Sequence, residues 1–143
     1  MLKVVIDTNS LIQMLGAKSP YHFLFTKFLS DEFTLCVSRN SPEDLSQRML
    51  NAMEPGTIMP IHRHHASSET VVMLRGKIRW IFFDDEGNET ERVLLDADSD
   101  VRSLTVERDR WHSLECLESG SVLFECKDGA YHPLEEDEIL VID

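Results

Sequence analysis

The side chains best suited to hold a metal lie close together in one stretch of this sequence. Residues 56–76 read Gly-Thr-Ile-Met-Pro-Ile-His-Arg-His-His-Ala-Ser-Ser-Glu-Thr-Val-Val-Met-Leu-Arg-Gly. His62 and His64 are two positions apart, so an extended strand presents both imidazoles on one face. Glu69 follows a bend, falls at the start of the next strand, and can point back into the same space. Two imidazoles and a carboxylate suit a first-row divalent ion (Zn, Fe, Mn or Ni) and leave coordination positions open. A fourth ligand must come from farther along, and His112, in Arg110-Trp111-His112-Ser113-Leu114, is the candidate. An isolated His-x-His is common on wetted strands, because His is an ordinary surface residue as well as a ligand. The combination with Glu69 and His112 is what makes it a metal constellation. His65 falls on the opposite strand face and is read, with His22 and His132, as a surface histidine.

The surrounding sequence is built to position such a site on strands. From Gln47 onward, short apolar runs alternate with turn signals, the pattern of an all-β sandwich or barrel. Pro55-Gly56 punctuates one join. Asp84-Asp85-Glu86-Gly87-Asn88 is a hairpin signal between strands at Lys77–Phe83 and Glu91–Leu95. Ser119-Gly120 turns the chain into a strand over Ser121–Lys127, which ends at Asp128-Gly129. Ile78, Trp80 and Phe82 alternate and read as barrel core. On Ser121–Lys127, Leu123, Glu125 and Lys127 share one face, and Val122, Phe124 and Cys126 the other. The simplest reading of that alternation is a wet polar face.

The first residues have a different character. Leu2–Ile6 reads as a short strand, a helix runs through Leu11, Ile12, Met14 and Leu15, a second helix runs from Pro20 to Leu29, and Phe33–Val37 reads as another strand. Ser41-Pro42-Glu43 can start a brief helical turn. The expected division is an N-terminal strand-helix extension over residues 1–38, packed on a β-domain over 39–143. Phe23, Leu24 and Phe28 are too apolar to leave in water, so they pack on the barrel or on a second chain. A homodimer is the simpler outcome, since two-fold pairing is the commonest assembly.

The whole chain sets bounds on function. At 143 residues it holds one ordinary domain, large enough to form a core without disulfides. Its three cysteines, Cys36, Cys116 and Cys126, include no C-x-x-C pair and are expected to be free, buried thiols. A formal net charge of −12 repels phosphate backbones and argues against a nucleic-acid partner. No apolar run approaches a membrane span, and no secretory signal is evident, so the expected location is cytoplasmic.

The spacing Gly56-x5-His62-x-His64-x4-Glu69-x6-Gly76 matches the first motif of the cupins at every position. The second motif is degenerate. His112 is kept, but Glu107 and Asp109 stand where the Pro and Gly of a Pro-x-Gly-x-x-His would be, and Cys116 replaces the usual Asn. The segments Arg39–Thr57, Ser68–Val72, Leu74–Lys77, Trp111–Leu114 and Phe124–Tyr131 resemble the WbuC-type cupin-fold metalloproteins over about residues 34–143. That resemblance implies a mainly β fold, the cupin double-stranded β-helix or jelly-roll barrel, with a divalent transition metal. It also implies a setting in bacterial surface-polysaccharide gene clusters. Glu125, Lys127 and Tyr131 become candidate pocket residues on the same ground, with Arg48 and Asn51 behind them.

Val4-Val5-Ile6-Asp7-Thr8-Asn9 resembles the opening of a PIN-type ribonuclease, where the first Asp binds Mg²⁺. No further acidic positions complete such a site, and hard cations generally need several oxygen ligands.

The expected function is therefore a metal-dependent cupin acting on a small molecule such as a sugar or sugar nucleotide. Isomerase-, epimerase- or oxygenase-like chemistry is left open. Glu69, Glu125 and Tyr131 are the candidate catalytic groups. The alternative is a non-catalytic metal- and sugar-binding module. A pocket wall that carries Glu125 or Tyr131 towards the metal favours an enzyme, because proton transfer needs an ionisable group beyond the ligands.

Overall fold

A computed structural model describes residues 4–6, 34–37 and 44–142, with side chains from Asp44 onward. The expected N-terminal helices, the turn at Ser41, the side chain of Cys36, and Asp7 lie outside the described residues.

Among the described residues the chain is mainly β, arranged as two sheets. The larger has the order β1 (Val4–Ile6), β2 (Thr34–Val37), β3 (Ser46–Met53), β9 (Ser121–Asp128), β4 (Glu69–Arg75) and β7 (Ser103–Val106). The smaller has β6 (Glu89–Asp96), β5 (Lys77–Phe83) and β8 (His112–Cys116). All pairings are antiparallel except β1 with β2. The strands expected near residues 2–6 and 33–37 are present, and through β2 they extend the large sheet beyond β3.

The inward faces follow the two-residue strand period. Ile78, Trp80 and Phe82 of β5 are buried, as the alternation predicts, and pack with Met53, Val71, Met73, Leu95, Val106, Leu114, Cys116 and Leu123. Burying each large side chain of this set contributes roughly 1.5–3 kcal/mol, the main source of stability for the barrel.

The join between β4 and β5 depends on Gly76. Its φ of +74° lies in the left-handed region, and a Cβ there would sit 2.3 Å from Ser121 Oγ and 2.9 Å from Ser121 Cα. Glycine is thus required on two independent grounds, conformation and space.

The large sheet changes character along its inner face. One end is apolar, with Met73 beside Leu123. At the other end Gln47 pairs with Lys127, and Lys127 pairs with Glu69, giving a polar row across β3, β9 and β4. The expectation that Glu125 and Lys127 form a wet outer face is therefore corrected. Leu123 is 1% exposed and Glu125 8%, so this face points into the barrel. Alternation distinguishes two faces but does not say which is wet when a barrel interior is polar at one end.

Candidate metal centre

The first two histidines lie on an extended segment rather than a strand. His62 forms isolated bridges with both His112 and Ile139. Its N–H donates to the carbonyl of His112 at 2.9 Å, and the His112 N–H donates back at 2.8 Å. On the other side, the Leu140 N–H donates to Ile61 and the Arg63 N–H to Glu138. The metal-motif segment is thus laced between β8 and the C-terminal return. Glu138 is 2% exposed, and its carboxylate accepts from the backbone N–H groups of His65 and Glu135.

The degenerate second motif keeps its turn. Asp109, in the place of the motif glycine, has a φ of +60°. Asp is among the few residues that tolerate this region, because its short polar side chain bonds locally. Here the carboxylate meets His65 Nδ1 at 2.5 Å, and the Asp109 N–H donates to the His64 carbonyl. His65 therefore has a structural role at the rim, and the Asp109 interaction raises its pKa.

His62, His64 and His112 each place a ligand nitrogen within 4.8 Å of the others. Their ring centroids are 4.2–5.6 Å apart, and Trp80 stacks on His112 at 5.6 Å. Backbone carbonyls select the tautomers. Nδ1 of His62 lies 3.0 Å from the Pro60 carbonyl, and Nδ1 of His112 lies 2.8 Å from that of Arg110. A carbonyl only accepts, so each Nδ1 carries a proton, and Nε2 is the ring nitrogen each residue has left for the cluster. Burial, and then the neighbouring His112, lower the pKa of His62 to about 4, which keeps it in the neutral, metal-binding form.

Glu69, the first residue of β4, reaches the same space. Its two oxygens lie 3.3 Å from His64 Nε2 and 3.3 Å from His112 Nε2. Nε2 of His112 is buried without a hydrogen-bond partner among the described residues. Burial alone would push the Glu69 carboxyl up, but His112, His64 and the Lys127 ammonium outweigh it and hold the group well below the usual carboxylate range. The donor set fits a divalent transition metal: three imidazoles and a carboxylate, with one of the imidazole nitrogens, Nε2 of His112, buried and without a hydrogen-bond partner among the described residues.

A second polar layer lies beside the first. Lys127 Nζ is 2.8 Å from His64 Nε2, 2.8 Å from Glu69 Oε2 and 2.8 Å from Glu125 Oε1. Asn51 and Gln47 donate to the Glu125 carboxylate at 2.8 and 3.4 Å. Burial, followed by the charge of Glu69, raises the pKa of Glu125 against the pull of Lys127. Burial also disfavours the Lys127 charge, but the two carboxylates outweigh it and raise the ammonium's pKa.

These groups open onto a cavity of about 570 Å³ whose wall includes Met49, Met59, Glu125, Lys127 and Tyr131. The structure thus brings together His62, His64, Glu69 and His112, with Glu125 linked to them through Lys127 and Tyr131, 39% exposed, in the cavity wall. Asn51 lines the cavity, whereas Arg48 points to the other face of β3, 3.7 Å from Asp44. Gln47, Met49 and Met59 line the cavity without having been singled out in the sequence. The two-residue period from Asn51 would have indicated Met49 and Gln47. Cys116 is buried and Cys126 partly so, both as free thiols.

Comparison with known proteins agrees with this architecture. The model of a family described as a domain of unknown function, DUF6016, matches residues 36–95. No curated protein matches the chain in sequence. Among solved structures, CapF with the inhibitor 3-isopropenyl-tropolone is similar at 21% identity and a TM-score of 0.55, over 64% of this chain and 26% of that one. The capsular polysaccharide assembling protein CapF from Staphylococcus aureus matches at 16% identity and a TM-score of 0.53, over 74% of this chain and 27% of that one. KdgF from Halomonas sp. matches at 14% identity and a TM-score of 0.50, over 67% of this chain and 78% of that one. The matched region therefore spans about a quarter of the CapF chains. Likeness at these identities establishes the fold, and that fold is the cupin double-stranded β-helix expected from the motif spacing.

Proposed function

We propose that this chain is a metal-dependent cupin enzyme of the WbuC type that acts on a carbohydrate-like small molecule. His62, His64, Glu69 and His112 hold one divalent transition ion, whether Zn, Fe, Mn or Ni. The observation that carries the proposal is the 3.3 Å approach of Glu69 Oε1 to His112 Nε2. Nε2 of His112 is buried there without a hydrogen-bond partner among the described residues, and a cation shared with the Glu69 carboxylate gives that nitrogen the partner it lacks.

Bound at this position, the metal supplies Lewis acidity towards a ligand oxygen. The chain's own groups do the rest. Glu125, with its pKa raised by burial, is placed to hold or accept a proton at its carboxylate in the cavity wall. Asn51 and Gln47 fix that carboxylate through its two oxygens. Tyr131 at the rim is placed to orient the ligand. Met49 and Met59 exclude water from the inner wall. An ionisable group beyond the ligand set favours an enzyme over a binding module. The setting in surface-polysaccharide metabolism is supported by the WbuC-type motifs and by fold similarity to a capsular polysaccharide assembling protein.

The test is to incubate metal-loaded protein with a panel of sugars and sugar nucleotides and to follow each by NMR. Turnover by the wild type that falls at least 100-fold in Glu125→Gln supports the enzyme reading. Binding without turnover, unchanged in Glu125→Gln, contradicts it in favour of a binding module.

A further inference from the structure

Lys127 carries an inference that goes beyond the metal site and rests on it. An ammonium has only donors, so its 2.8 Å approach to His64 Nε2 uses the lone pair of that nitrogen. An imidazole nitrogen has one lone pair. The same atom cannot accept from Lys127 and bind a metal at once. Lys127 is also 2.8 Å from Glu69 Oε2, so it engages two of the four proposed ligands. Its third contact is Glu125, which belongs to the cavity wall and not to the ligand set.

We propose that Lys127 is the resident cation of the metal-free site and the anion-recognising residue of the loaded one. When a metal takes His64 Nε2, the ammonium loses that partner and keeps the carboxylates, which have further lone pairs to offer. An ammonium has three N–H donors, and a largely buried one that has lost an acceptor needs a replacement. The side chain is 11% exposed and lines the cavity, so the replacement acceptor comes from the ligand. The ligand class is a small molecule bearing a carboxylate, placed between the metal and Lys127. The two methionines and the amides of Gln47 and Asn51 in the wall add no competing positive charge.

Two consequences are separable. Lys127 and the metal compete, so removing the ammonium tightens metal binding. Lys127 and a carboxylate attract, so removing it weakens selection for an acidic ligand. The experiment titrates Mn²⁺ into the metal-free wild type, Lys127→Met and Lys127→Gln by calorimetry, then titrates D-glucuronate and D-glucose into the loaded proteins. Circular dichroism checks each fold, and the Gln variant, which can still donate to both carboxylates, covers a failure of the Met variant to fold. Expected are an Mn²⁺ affinity at least tenfold tighter in both variants, and a wild-type preference for glucuronate of at least tenfold that shrinks at least threefold in the variants. Equal Mn²⁺ affinity in all three proteins overturns the inference and leaves the metal site standing. A wild type that binds neither sugar, or both equally, overturns the recognition role. Failure of all three to take up Mn²⁺, and likewise Fe²⁺, Ni²⁺ and Zn²⁺, overturns the metal reading itself and the inference with it.

Discussion

Glu69 and Lys127 face each other directly across the β4–β9 ladder, with Lys127 Nζ 2.8 Å from Glu69 Oε2. Both side chains project into the barrel, at its polar end. The pair links the proposed ligand set to the cavity wall, because the same ammonium also contacts Glu125. Replacing Glu69 by Gln keeps the shape and removes the charge. The expected outcome is a folded protein whose metal affinity drops at least 100-fold, while Lys127 retains Glu125 as its counter-ion. Calorimetric metal titration with circular dichroism checks it. Undiminished metal affinity would show that Glu69 is not a ligand.

Acid should weaken the metal-free protein in a defined window. The pKa of His62 is lowered from 6.5 to about 4, so between these values the unfolded chain binds a proton that the folded chain refuses. The contribution of His62 to stability therefore rises with pH across that window and is lost as pH drops from 6.5 towards 4. At 1.36 kcal/mol per unit, the loss is on the order of 3 kcal/mol. Glu69, whose pKa is lowered, adds its own loss only below the usual carboxylate range. Urea melts of metal-free protein at pH 7, 5.5 and 4 check the prediction. In His62→Phe, the slope between pH 6.5 and 4 should flatten.

Gly76→Ala should be among the most damaging small substitutions in the barrel. The added methyl meets Ser121 Oγ at 2.3 Å and occupies a residue with φ +74°. Overpacking and left-handed backbone together cost about 2–4 kcal/mol. The denaturation midpoint should fall accordingly. A neutral result would mean that the β4–β5 join relaxes freely.

Asp109 gives the opposite case. Asp109→Gly restores the motif glycine at φ +60° and should change stability by less than about 1 kcal/mol, relaxing the backbone while losing the His65 contact. Asp109→Val should cost about 1–2 kcal/mol or more, since a β-branched residue is strained there. Neither should abolish metal binding if His112 keeps its backbone bonds to His62. Chemical denaturation and metal titration read the two effects separately.

Much of the site was legible because its spacing is local. His62, His64 and Glu69 lie within one motif, and a bend followed by a β-branched run is enough to aim them together. His112 was found through the second motif although its Pro and Gly are replaced, because Asp109 tolerates the turn that glycine would make. Lys127 and Glu125 were harder to place. Their strand alternates, and the inward polar face of a barrel looks the same in sequence as an outward wet one. Glu138 left no signal of its own. It is buried because the C-terminal return bridges His62 at Ile139, a long-range pairing that local pattern does not specify. The apolar helices expected near Phe23 and Phe28 fall outside the described residues.

Every prediction about metal depends on a single ion held by His62, His64, Glu69 and His112. Elemental analysis of protein purified without an affinity-column metal tests it most directly, with the wild type and His62→Ala compared and circular dichroism recorded on both. Close to one transition-metal ion is expected per wild-type chain, most of it lost in His62→Ala, with unchanged β-sheet spectra, because the apolar end of the barrel has its own core. A wild type that neither carries nor takes up metal, or a His62→Ala protein that retains its full complement, would contradict it.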